Sequence, residues 1–167
     1  MSSMKGLPPI SGEDVQVFDE ALDTLLAQTG AVAAILIHQG GPVISQAGDA
    51  SRYNTISLAA VAAGAFAASC AVAMLMGETQ VASFCQQGQE LSMLVSRVDD
   101  DLLLLVIYKS ALIGAESIRH HATNAIECVA SQVQRAASRA PVPSFDVAAL
   151  ELPDVSQMFR RKDSKQL

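Results

Sequence analysis

The chain has 167 residues, half of them hydrophobic: enough for one domain with a real core, too few for two ordinary ones. Its formal net charge of -6 repels phosphate backbones, so nucleic-acid binding is not expected. Three cysteines, an odd number with no CxxC or Cys/His metal spacing, argue against a metal site and point to free, buried thiols.

Residues 1–10 read as a flexible lead. MSSMKGLPPI holds one Lys and no apolar run, unlike a secretory signal, so a reducing, cytoplasmic location is expected. Ser11 then opens a helix, with Asp14 three positions on as a capping-box partner. Val15, Phe18, Leu22, Leu25 and Leu26 share one helical face, and Gly30 supplies the stop. AVAAILIH (31–38) and VISQA (43–47) read as strands joined by a hairpin at Gly40-Gly41, where positive φ is needed. Pro42 sits at the second strand's entry, where its missing N–H does least harm.

Residues 56–76 read ISLAAVAAGAFAASCAVAMLM, a helix that Asn54, Thr55 or Ser57 would cap and Gly77 would end. TQVASFCQ (79–86) reads as a strand, and Gln87-Gly88 as a turn. QELSMLVSRV (89–98) alternates, with Leu91, Met93 and Val95 on one face. Asp99-Asp100 marks another turn. LLLLVIY (102–108) is apolar throughout, as in a central strand buried on both faces. Residues 113–139 form the last helix, striped by Ile118, Ala122, Ala125, Ile126, Val129 and Val133, with Arg135 and Arg139 near its end. The expected class is α+β, in the order α-β-β-α-β-β-β-α: a domain over 11–140 and a mobile tail over 141–167.

The run 56–76 is long enough to span a bilayer. Its strong membrane formers are Ile56, Leu58, Val61, Phe66, Val72 and Leu75, each worth about -0.5 kcal/mol. No Lys/Arg cluster flanks it, however, and a span between strands of one sheet would split that sheet across the bilayer. No transmembrane segment is therefore expected. A helix apolar all round needs partners all round. Leu58, Val61, Ala65, Val72 and Leu75 are expected to lie on the sheet. Ala60, Gly64, Ala67, Ala68 and Ala71 form a small-residue face that lets a second backbone approach, which points to a homodimer.

Catalytic signatures are missing. There is no GxxxxGK[ST], GxGxxG or GxSxG. His120 and His121 are adjacent, about 100° apart on a helix, and cannot share a metal; Glu116, one turn earlier, is expected to pair with His120. Asp99-Asp100-Asp101 lacks EF-hand spacing and reads as a charged turn. No cofactor, metal or active site is expected.

NTISLAAVAAGAFAASCAVAMLMGE (54–78) followed by FCQQGQELSMLVSRVDDDLLLLVIY (84–108) resembles the Roadblock family of dynein-type light chains, and most of all its bacterial MglB-like branch. The shared pattern is a small-residue helix ending in Leu-Met-Gly-Glu, a Gln-Gly turn and a long apolar strand. The resemblance implies a profilin-like, five-stranded antiparallel sheet with one helix on one face and two on the other. It implies a homodimer through the middle helix and the edge strand after it, placing Ala60, Gly64, Ala67, Ala68, Ala71, Gln80, Ala82, Phe84 and Gln86 at the interface. It further implies a small Ras-like (MglA-like) GTPase as partner in cell polarity or motility, whose GTP hydrolysis or nucleotide exchange is modulated without an active site in the regulator. Arg52, Tyr53, Asn54, Met158, Phe159 and Arg160 would touch that GTPase. The alternative is a non-catalytic scaffold or adaptor, beside a sensor kinase, with no effect on GTP turnover.

Overall fold

The computed structural model describes residues 6–139. Helix α1 (Gly12–Thr29) starts at the expected capping box: Asp14 N–H donates to Ser11 Oγ at 3.4 Å, and Ser11 N–H donates to Asp14 Oδ2 at 2.7 Å. It ends at Gly30, left-handed at φ 67°, whose N–H donates to the Leu26 carbonyl at 2.8 Å. There follow β1 (Ala33–His38), β2 (Val43–Gly48), a 3₁₀ turn (Asp49–Arg52) that the sequence reading did not foresee, and α2 (Thr55–Leu75). Then come β3 (Ser83–Gln86), β4 (Leu91–Arg97), β5 (Leu102–Lys109) and α3 (Ala115–Ser138). Asn54 caps α2, its Oδ1 accepting from Ser57 N–H at 3.1 Å.

The strands form one antiparallel five-stranded sheet in the order β2-β1-β5-β4-β3. Strand β5 is central and buried on both faces up to its last residue, Lys109. The side-chain period of two sorts its residues cleanly. Leu102, Leu104, Val106 and Tyr108 point to the layer of α1 and α3. Leu103, Leu105 and Ile107 point to α2. One helix thus covers one face and two the other, as the resemblance implies. Leu7 and Ile10, in the expected lead, pack against the α1–α3 layer. The tail expected over 141–167 lies outside the described residues.

Helices α1 and α3 meet over Phe18, Leu22 and Leu25 and over Ile118, Ala122 and Val129. Asp14, fully buried, clasps the two. Its carboxylate accepts from Gln132 Nε2 at 2.7 Å, from Ser11 Oγ at 2.8 Å and from the Arg139 guanidinium. The Gln132 bond, then those of Ser11 and Arg139, hold this carboxyl far below the usual range despite burial.

Helix α2 corrects the expected facing. Ala59, Ala62, Ala63 and Phe66 lie on the sheet. Among the five residues expected there, Leu58 packs only in part, whereas Val61, Val72 and Leu75 are 70%, 56% and 90% exposed. The reason is geometric. Positions 59, 62, 63 and 66 form one i, i+3, i+4, i+7 stripe; its alanines bring the helix close to the sheet, and one Phe fills the space that remains.

Three smaller expectations are corrected as well. The expected strand over 79–86 forms its ladder only from Ser83. None of the cysteines is buried: Cys70 is half-buried, and Cys85 and Cys128 are exposed. Glu116 pairs with Arg119 at 2.5 Å rather than with His120. Asp99 makes the expected turn, its Oδ1 accepting from Asp101 and Leu102 N–H, each at 2.8 Å.

Candidate interaction surface

Among the described residues, most of the large hydrophobic side chains left in water lie on the outward half of α2 or at its end. Ile56, Val61, Val72, Met74, Leu75 and Met76 are all more than half exposed. The small residues Ala60, Gly64, Ala67, Ala68 and Ala71 are exposed on the same helix, and no residue from Tyr53 to Gly77 is charged. Monomeric proteins seldom leave so continuous an apolar surface uncovered.

Beside it runs an open sheet edge. Strand β3 pairs only with β4, through Phe84 opposite Val95 and Cys85 opposite Leu94. Its other side presents free backbone donors and acceptors. Gln80, Ala82 and Gln86 are exposed and Phe84 is half-buried against the α2 core. Gln80 and Ala82 belong to the approach to β3 rather than to its ladder.

Arg97 ties helix and edge together. Its backbone N–H donates to the Ala82 carbonyl at 2.9 Å, and its Nε donates to the Val81 carbonyl at 3.2 Å. Its guanidinium lies 5.2 Å from the centre of the Phe66 ring and reaches Cys70 Sγ at 3.5 Å. No local sequence pattern marks Arg97, because its partners lie up to 31 positions away. On the opposite face of β3, Cys85 Sγ lies 3.5 Å from the Tyr108 hydroxyl. Burial, reinforced by that thiol, pushes Tyr108 up to about 12, so it stays protonated at neutral pH.

The other group of expected contacts divides. Arg52 is exposed, with a 3.5 Å ion pair to Asp49. Tyr53 is half-buried, and the two line a cleft of about 760 Å³. Asn54 is occupied as the α2 cap. Met158, Phe159 and Arg160 lie outside the described residues. Among the described residues, no three His, Cys, Asp or Glu side chains are grouped to hold a metal ion.

Residues 17–108 match the Roadblock/LC7 domain. No curated protein matches the chain. Among solved structures it is similar to the gliding protein MglB from Thermus thermophilus, with 24% identity, 79% of this chain and 99% of that one covered, and a TM-score of 0.70. Myxococcus xanthus MglB is similar at 23% identity, covering 79% of this chain and 98% of that one, with a TM-score of 0.72. An MglB with a tetrameric arrangement matches at 24% identity over 80% of this chain and 99% of that one, again with a TM-score of 0.72. At these identities the likeness is one of fold.

Proposed function

The chain belongs to the Roadblock/LC7 domain family, and from that premise we propose that it is a cytoplasmic homodimer that binds a small Ras-like GTPase and modulates its GTP hydrolysis or nucleotide exchange. The observation that carries the reading is the uncovered outward half of α2, with its stripe of exposed small residues beside the open edge of β3. Two copies pairing along both features would withdraw that apolar surface from water and satisfy the free edge. The tetrameric arrangement of a similar MglB supports self-association.

By length and composition α2 would also suit a membrane. Its sheet-facing Ala59, Ala62, Ala63 and Phe66 belong to the core, however, and spanning a bilayer would dismantle that core. Pairing with protein covers the exposed half and leaves the buried half in place.

The GTPase would dock beside the paired α2 helices, on Arg52, Tyr53 and Asn54 at the start of α2, with Met158, Phe159 and Arg160 adding contacts. Such a regulator needs no reacting group. It acts by ordering the switch loops of its partner, which hydrolysis requires.

The test is a pull-down from native lysate with the purified chain, run with GDP and with a non-hydrolysable GTP analogue. A small GTPase retained preferentially with the analogue, and whose GTP turnover changes on adding the chain, supports the regulator. A GTPase bound with unchanged turnover supports the adaptor. No GTPase in either nucleotide state contradicts the reading.

A further inference from the structure

Eight large hydrophobic side chains stand exposed among the described residues, and six of them belong to α2 or its end. The other two, Leu91 at 40% and Leu112 at 73% exposure, line the same cleft of about 760 Å³. Leu91 opens β4, Lys109 ends β5 and Leu112 lies beyond it, while Arg52 and Tyr53 come from the approach to α2. Residues distant in sequence therefore meet at one end of the sheet.

The charges of the cleft run against those of the chain. The whole chain carries a net charge of -6, yet the charged groups lining the cleft are two cations, Arg52 and Lys109, and one anion, Glu90. Lys109 is the only exposed residue of β5 and takes part in no ion pair among the described residues. Arg52 spends its charge only on the exposed pair with Asp49, which is worth little. Among the described residues Lys109 is therefore free to take an acidic group, and Arg52 can exchange its exposed pair with Asp49 for a second contact to it.

The shape selects among acidic ligands. A small molecule in an enclosed pocket has most of its surface covered. Here Leu112 stands largely in water at the rim, so the cleft is an open trough. A chain laid across it would cover Leu91 and Leu112 with an apolar side chain and bring a carboxylate to Lys109 and Arg52. We propose that the cleft is a docking site for an acidic peptide segment of a partner protein, anchored by a large apolar residue within a few positions of an Asp or Glu. The inference rests on the cleft alone and does not need the GTPase reading.

The test is selection of a random dodecapeptide display library on the immobilised full chain. Enriched peptides are synthesised and their binding measured by fluorescence anisotropy. Enriched peptides are expected to place Asp or Glu close to Leu, Phe or Trp. Their affinity should fall about tenfold or more in Lys109→Glu and in Leu112→Ser and stay unchanged in Ala27→Ser, at an exposed position of α1. Arg52→Glu, on an exposed turn outside the sheet, is the second charge reversal, and circular dichroism establishes that each variant is folded. Enrichment of no peptide, or of cationic peptides, overturns the proposal. So does binding that survives both Lys109→Glu and Leu112→Ser, or that is lost in Ala27→Ser.

Discussion

Asp14 is the one charged side chain among the described residues that is wholly out of water. It survives there because every nearby donor is aimed at it: Ser11 from the cap, Gln132 and Arg139 from the end of α3. Asp14→Asn keeps the volume but turns donors toward donors, and should cost about 2–3 kcal/mol in urea unfolding at pH 7. The acid limb carries a second signature. The folded carboxyl is held below its ordinary value of 3.8, so the unfolded chain takes up the proton first. The stabilisation is complete above that value and is lost as pH falls toward the folded one. Native protein should therefore lose stability more steeply than Asp14→Asn between about pH 5 and pH 2; parallel slopes would refute the clasp. Gly48 is a second critical residue. It adopts φ 75°, ψ -149°, and a Cβ there would meet the Val32 carbonyl at 2.5 Å. Gly48→Ala should cost about 2 kcal/mol or more, read as a fall in Tm. The capping box of Ser11 and Asp14 was legible as a local pattern. The roles of Gln132 and Arg139 were not, because more than a hundred residues separate them from Asp14.

At the scale of the element, α2 shows where sequence reading stops. A helix that is apolar on every side offers no amphipathic contrast, so its periodicity cannot say which side meets the sheet. The large residues were expected inward; Ala59, Ala62, Ala63 and Phe66 took that place. Strand β5 was the opposite case: seven consecutive apolar residues, too few for a typical helix and bounded by a turn, read as a strand with both faces buried. The facing of α2 is open to a paired test. Phe66→Ala should cost about 3–5 kcal/mol, by emptying the space beneath the helix. Val61→Ser, on the outward side, should change the unfolding free energy by less than about 0.5 kcal/mol, measured at the lowest workable concentration. Arg97 links this helix to the β3 edge. In Arg97→Met the amides of 81–86 should exchange with deuterium faster, while those of β5 keep their protection. Unchanged exchange near β3 would show that the ladder alone holds that edge.

For the whole molecule, the layer plan was readable because element order, turn residues and apolar periodicity all pointed the same way. The cleft was not, since residues 52–53, 89–91 and 109–112 form no local pattern and meet only through the sheet. Among the described residues both faces of the sheet are covered, while the outward half of α2 and the edge of β3 have no partner. The proposed function depends on a second copy meeting that surface. Sedimentation velocity of the purified chain, over a wide concentration range and beside Ala67→Arg, tests this most directly. A dimer is expected for the native chain, and a folded monomer for Ala67→Arg, whose long cation lands in the stripe of small residues. A native chain that sediments as a monomer throughout, or an Ala67→Arg variant that still dimerises, would contradict the assignment of this surface.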